Sequence, residues 1–294
     1  MNRSGLVELD AVVAVARLGG FRVAAIELGV SATSVSNAVA GLEARLGVRL
    51  FNRTTRSVAL SEAGEQFIAA VGPALSDIRA AMEATNNRRG RPAGTLRLNC
   101  PVEAARQILV PVVLLFQRRY PDVKVDIVTD AQLIDIVAKG FDAGIRTRDA
   151  VPRDMIAVPF GPALRFVVVG SPAYLRDHPA PAKPSDLMAH RCIRARWPSG
   201  RLYRWEFSKR GRALTIDAPG ALTLDEPTLM RDAALADAGL AYMWEARVRG
   251  DLASGRLVSV LDDWIPSSPG FCLYHPGRRN MPSALSAFID MLRN

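Results

Sequence analysis

Apolar positions over the first fifty residues repeat at helical spacing three times, and each repeat is closed by a breaker. Leu6, Leu9, Val12, Val13 and Ala16 predict a helix over 5–18, stopped at Leu18-Gly19-Gly20. Phe21 to Leu28 predicts a second helix of two turns, and Gly29-Val30-Ser31 a tight turn with Val30 filling the space beneath it. The third helix runs from Ala32 to Leu46. Val35, Val39, Leu42 and Leu46 would form its buried stripe, Ser31 its N-cap, and Gly47 its C-terminal glycine. The opposite face begins with Thr33, Ser34, Ser36 and Asn37, small polar side chains that allow close approach to base edges or phosphates. An ordinary surface helix with a polar face carries the same pattern. Helix, short Gly-containing turn and helix together form the helix-turn-helix arrangement.

The period then changes. From Val48 to Leu60 two short extended segments flank a polar, arginine-rich tip. This reads as a wing beside the third helix, with Arg53, Thr54 and Arg56 able to contact phosphate or a minor groove. A solvated turn is the alternative. Ser61 would cap a long helix with Glu62 and Glu65 in its first turn, and Pro73 would kink it. Phe67, Val71, Leu75, Ile78 and Met82 recur by fours and threes, a stripe suited to a partner helix or to packing on its own domain. Residues 1–60 are thus a winged helix-turn-helix domain, 61–87 a linker and dimerisation helix, and 88–93 a hinge.

Beyond the hinge, strands alternate with helices. Thr95–Asn99, 123–128, 141–145, 164–169, 240–243 and 270–274 predict strands; 104–120, 133–139, 227–238 and 283–292 predict helices. That order implies an α/β domain with a largely parallel sheet.

Composition narrows the partners without locating them. Over 294 residues the formal charge is +9, which permits nucleic acid. Residues 1–92 hold 11 Arg, no Lys and 8 acids, a net +3, so the rest of the excess lies downstream. The three cysteines share no motif, and the three histidines lack metal spacing, so no metal site is expected. There is no Gly-rich phosphate loop, no Gly-x-Ser-x-Gly elbow and no paired acids for acid–base work, so neither catalysis nor a cofactor is expected. Glu8 and Asp10 interrupt any signal-like apolar run, which points to the cytoplasm and away from the membrane.

The residues also carry a family resemblance. Phe21, Ala24, Ala25, Leu28, Ser34, Val35, Ser36, Leu42-Glu43, Leu46-Gly47, Leu50-Phe51, Arg53, Leu60-Ser61 and Ala63-Gly64 resemble the DNA-binding domain of LysR-type transcriptional regulators. Gly94-Thr95-Leu96-Arg97-Leu98, Phe116 with Tyr120-Pro121, Gly140 to Arg146, and Asp251-Leu252 with Gly255-Arg256-Leu257 resemble that family's effector domain. The resemblance implies an α/β chain with an all-α-type winged helix-turn-helix domain: N-terminal winged helix, linker helix, and a C-terminal periplasmic-binding-protein-like two-lobe effector domain. Residues 94–294 would form that domain, with lobe one at 94–164 plus 266–294 and lobe two at 165–265. It implies a sequence-specific regulator on double-stranded DNA, a small-molecule effector between the lobes, self-association as dimer or tetramer, and RNA polymerase as partner of an activator. A small-molecule-binding module or enzyme with a degenerate DNA-binding domain is the alternative.

Strand ends and helix starts nominate the effector contacts. Cys100, Pro101 and Val102 lie between a strand and a helix, where backbone N–H groups would face an anion, although Glu103 follows. Thr129, Thr223 and Asp225 sit at similar ends, and Arg146 could pair a carboxylate or form a structural ion pair. Residues 191–212 hold eight basic residues and one acid interleaved with Trp197, Tyr203, Trp205 and Phe207. Either Arg196 and Trp197 bias the site toward an anionic or aromatic effector, or the stretch is a pair of strands with a solvated basic face.

Overall fold

The computed structural model describes residues 3–53, 58–86, 92–197, 199–266, 268–277 and 281–293. The chain divides into two compact units. The first holds residues 1–145, 151–158 and 273–294, and the second holds 146–150 and 159–272. Sequence reading drew the outer crossings at 164/165 and 265/266.

The first unit opens with α1 (Arg3–Leu18), α2 (Phe21–Leu28) and α3 (Ala32–Leu46). Val12, Val15, Ala24, Ala25, Val35, Val39 and Leu42 interlock in one core with Leu50, Phe51 and Ile68. Each large aliphatic side chain buried there contributes about 1.5–3 kcal/mol. Gly29 and Gly47 end α2 and α3 at φ 65° and 70°, a left-handed turn that glycine adopts without strain. Two apolar residues depart from the expected pattern. Leu46, in the last turn of α3, is 42 % exposed, and Val30 is exposed rather than tucked beneath the turn. Both sit next to a left-handed glycine, where the chain turns away from the core.

The wing pairs β1 (Phe51–Arg53) antiparallel with β2 (Val58–Leu60), Phe51 opposite Leu60. Its tip, including Thr54 and Arg56, lies outside the described residues, as does most of the hinge. Helix α4 (Glu62–Asn86) continues through Pro73. Its apolar stripe divides: Phe67 joins the N-terminal core and Leu75 is buried, whereas Ile78 and Met82 are exposed.

The remainder of this unit is a five-stranded sheet of β3 (Gly94–Cys100), β4 (Val123–Thr129), β5 (Ala143–Thr147), β6 (Met155–Phe160) and β14 (Phe271–Pro276), in the order β4-β3-β5-β14-β6. Strand β3 runs parallel to both β4 and β5. The single helix expected over 104–120 is three segments: α5 (Val102–Ala104), a π turn (Ala105–Leu109) and α6 (Val110–Arg119). Pro111 lacks an N–H and crowds the carbonyl four residues back, and a wider turn before it relieves the clash. The helix expected over 133–139 shrinks to a single turn: Asp135 Oδ1 caps its start by accepting the N–H groups of Val137 and Ala138, both at 2.9 Å, and Gly140 at φ 70° ends it. Helix α10 (Ser283–Arg293) closes the chain with Phe288 buried.

The second unit is built on a sheet of order β11-β8-β12-β7-β13. Its strands are β7 (Phe166–Gly170), β8 (Cys192–Ala195), β11 (Thr223–Leu224), β12 (Leu240–Trp244) and β13 (Val258–Val260). This sheet is mixed rather than largely parallel. Strand β7 is antiparallel to β12 and β13, while β8 is parallel to β11 and β12. Val168 faces one core and Val167 and Val169 the other, so an unbroken apolar run marks a strand covered on both faces. Helices α7 (Pro172–Asp177), α8 (Pro227–Leu235) and α9 (Glu245–Ala253) connect these strands. Strands β9 (Trp205–Lys209) and β10 (Arg212–Ile216) form a separate antiparallel hairpin.

Candidate nucleic-acid interface and effector surfaces

Ser31 caps α3 as the sequence requires: its Oγ accepts the Ser34 N–H at 3.0 Å and lies 2.8 Å from Ser34 Oγ. With Val35, Val39 and Leu42 turned inward, Thr33, Ser34 and Asn37 are exposed and Ser36 is half-buried. Four small polar side chains therefore share the outer face of the first two turns, where nothing long screens the backbone from a groove.

The wing is fastened to this helix by Glu43, a residue to which sequence reading gave no role. Its Oε1 accepts the N–H groups of Leu50 at 2.8 Å and Phe51 at 3.2 Å, and Oε2 accepts from Arg53 Nη2 at 3.3 Å. The Arg53 guanidinium also lies over the Phe21 ring, 4.4 Å from its centre. Two further arginines of the domain are paired: Arg17 with Glu27 and Arg45 with Glu8. These pairings take up acids and arginines one for one, so the net +3 is unchanged by them; among the described residues of the domain Arg22 and Arg49 are also exposed.

The wing is joined as closely to α4. Ser61 N–H donates to the Leu50 carbonyl at 2.9 Å, Ser61 Oγ donates to the Arg49 carbonyl at 2.6 Å, and the same Oγ accepts Gly64 N–H at 3.0 Å. A Cβ at Gly64 would stand 2.1 Å from the Leu50 carbonyl oxygen. The Leu60-Ser61 and Ala63-Gly64 pairs are therefore a junction, with glycine required by backbone contact.

In the first unit Cys100 pairs in register with Thr129, which brings Cys100, Pro101, Val102 and Thr129 to neighbouring strand ends. Cys100 is fully buried and its carbonyl accepts Asp130 N–H at 2.9 Å, whereas Val102 and Thr129 are exposed. In the second unit Thr223 pairs with Arg194, and Arg196 N–H donates to the Leu224 carbonyl at 2.8 Å, which gathers Arg196, Trp197, Thr223 and Asp225. Trp197 is 49 % exposed and packs edge-to-face on Tyr203 at 5.2 Å, while Arg196 Nη1 donates to the Gly200 carbonyl at 3.2 Å. Arg146 is buried.

The rest of the basic-aromatic stretch is core and hairpin. Trp205 and Phe207 are buried around Tyr242, whose ring also stacks on Phe166 at 5.2 Å. Burial raises the Tyr242 hydroxyl pKa, and its O–H donates to the Glu206 carbonyl at 3.1 Å. Two of the histidines pack on one tyrosine: His178 stacks on Tyr174 at 4.3 Å, and Tyr174 Oη lies 3.2 Å from His190 Nδ1. Burial, then the neighbouring His178, lowers the His190 pKa. Asp251, of the motif near the C-terminus, is buried and takes Arg231 through two bonds of 2.5 and 2.7 Å, with Arg256 at 2.5 Å. Hydrogen bonds from Arg231 hold the Asp251 pKa below its usual value. No cluster of metal-ligating side chains occurs among the described residues.

Comparison with known proteins agrees with this anatomy. Residues 6–65 match the bacterial regulatory helix-turn-helix protein, lysR family, and residues 89–294 the LysR substrate binding domain. The chain is 41 % identical over 280 residues to the HTH-type transcriptional regulator YcaN of Escherichia coli, covering 95 % of this chain and 92 % of that one. It is 38 % identical to the regulator PgrR of the same organism over 100 % of this chain and 98 % of that one. Among solved structures, CrgA of Neisseria meningitidis, a LysR-type regulator, superposes with a TM-score of 0.58 at 26 % identity, covering 98 % of this chain and 99 % of that one. A full-length AphB variant superposes at 0.71 and 23 % identity over 97 % of each chain. With a capped third helix, a wing locked to it, a linker helix and a matched substrate-binding domain, the chain belongs to the LysR family of transcriptional regulators.

Proposed function

We propose that this regulator reads double-stranded DNA with Thr33, Ser34, Ser36 and Asn37 in the major groove, while Arg53, Thr54 and Arg56 of the wing meet phosphates or the adjacent minor groove. The observation that carries the reading is the outer face of α3: small polar side chains over two turns, Thr33, Ser34 and Asn37 exposed and Ser36 half-buried, beside the wing that carries Arg53. The exposed Ile78 and Met82 on the second half of α4 are the positions for a partner helix, so the chain works as a homodimer or a dimer of dimers on two-fold related half-sites. Binding of purified protein to the DNA upstream of its own gene and to random duplex, measured across a salt series, tests this; equal affinity for both would sink it.

The substrate-binding domain takes a small anionic or aromatic effector. Arg196 and Trp197, with Thr223 and Asp225, are the recognition surface of the second unit, and Val102, Thr129 and the backbone at Cys100-Pro101 that of the first. The effector acts by binding one arrangement of the protein more tightly than another. An aromatic carboxylate should quench indole fluorescence in the wild type and lose that quenching in Trp197→Phe. Activation would add RNA polymerase as a partner. No single helix among the described residues is long and apolar enough to cross a membrane, in keeping with a cytoplasmic site of action.

A further inference from the structure

Glu43 is an acid within the surface that the reading above gives to DNA. A merely structural wing anchor needs only an acceptor for the Leu50 and Phe51 N–H groups, and Oε1 supplies it. The second oxygen does something else: it faces Arg53, whose guanidinium is held between that carboxylate and the Phe21 ring. The Arg53 side chain keeps 38 % of its exposure, so the pair is reachable from solvent. Within such reach, DNA phosphate and Glu43 compete for the same cation. Phosphate attracts without regard to sequence, and every freely available arginine adds to non-specific binding.

We infer that Glu43 is a specificity-determining residue: it holds Arg53 back from phosphate on arbitrary DNA and yields it only where α3 is seated in its own groove. On arbitrary sequence the wing then presents a neutral pair. At the operator the seated helix brings the wing root against the duplex, and the local potential of the groove outweighs one carboxylate at 3.3 Å. Discrimination arises because one cation counts toward the cognate complex alone. The inference rests on the DNA-binding reading of α3 and the wing.

Glu43→Gln separates the two oxygens' roles. Its amide oxygen still accepts the wing N–H groups, and its amide nitrogen cannot pair with a guanidinium. The full-length protein would be measured on a duplex that the wild type selects from a random library, and on a scrambled duplex of equal length. Expected for E43Q is a salt dependence on the scrambled duplex steeper by ~0.9 in log K against log salt, one phosphate's worth, with the selected-to-scrambled affinity ratio falling several-fold. Arg53→Gln should flatten the slope on the selected duplex and leave the scrambled slope near wild type. The double variant should restore the wild-type slope on scrambled DNA. An unchanged slope and ratio in E43Q would overturn the inference. So would equal losses on both duplexes in R53Q, which decides the matter should E43Q not fold. If the wild type selects no duplex at all, the DNA-binding reading itself fails, before any variant is made.

Discussion

Gly64→Ala places a methyl group against the wing–linker junction. The new Cβ would stand 2.1 Å from the Leu50 carbonyl oxygen and 3.0 Å from both the Leu50 carbonyl carbon and Leu60 Cδ2. A carbon and an oxygen cannot rest so close, so the start of α4 must retreat by about 1 Å. The retreat stretches the Ser61–Leu50, Ser61–Arg49 and Gly64–Ser61 hydrogen bonds together. Each is worth about 1 kcal/mol net. Losing most of them is offset by the ~1 kcal/mol that alanine gains over glycine inside a helix, which leaves a net destabilisation of about 1–2 kcal/mol. Gly72, on the same helix, has nothing within 4 Å of its would-be Cβ. Gly72→Ala should therefore stabilise by up to ~1 kcal/mol. Thermal unfolding of the two variants beside wild type, at one protein concentration, reads the difference: G64A melts lower, G72A equal or higher. A G64A melting point at or above wild type would mean that helix propensity alone governs the site and that the junction is not as tight as described.

Asp251→Asn should cost about 2–4 kcal/mol, because it leaves Arg231 and Arg256 facing a neutral amide at a buried site. Since Arg231 lowers the folded-state pKa of Asp251, its contribution is complete above the unfolded value of ~3.9 and is lost as pH falls through the folded value. Acid-unfolding curves of D251N should be flatter than wild type below pH ~4. His190 has the opposite charge logic. Its folded pKa lies below 6.5, so the unfolded chain takes up the proton first and stability falls as pH drops from 6.5. His190→Gln should flatten that decline in denaturant titrations. Gly144→Ala would set a Cβ 2.4–2.6 Å from the Tyr274 ring and hydroxyl, an overpacking worth about 1–3 kcal/mol in the same unfolding assay.

The N-terminal helices were legible because local chemistry and period agree there. Ser31 and Gly47 bracket α3, and Val35, Val39 and Leu42 repeat at the spacing that the core uses. Leu46 broke the pattern because a helix's last turn rises out of the core it packs on. Elements set by one residue's special chemistry were harder to read. Pro111 forces the π turn before α6, and Asp135 and the left-handed Gly140 bracket the apolar stretch 133–139 so closely that one turn is left of the helix it resembles. The β9–β10 hairpin was visible only as one of two readings of its charge and aromatic pattern, and the burial of Trp205 and Phe207 shows what the aromatics pack against. At the site, the outward face of α3 followed from the sequence. The Glu43 contacts did not, because they join positions seven to ten residues apart across a helix end and a strand, where no period operates. A glutamate near the end of a reading helix, followed by an arginine in the wing, is the signal that would have found them.

The most direct test of the account is the base preference of Asn37→Ala. Asn37 projects from the exposed face of α3 and has no part in the cap or the core. Selection of binding sites from a random library with wild type and variant, followed by affinity measurements at fixed salt, reads preference position by position. The account predicts that N37A loses preference at one base position in each half-site, with a penalty of about 1–3 kcal/mol on cognate DNA, while binding to scrambled duplex and its salt dependence stay as in wild type. A variant that retains the full wild-type preference at every position would show that this face of α3 does not read the bases.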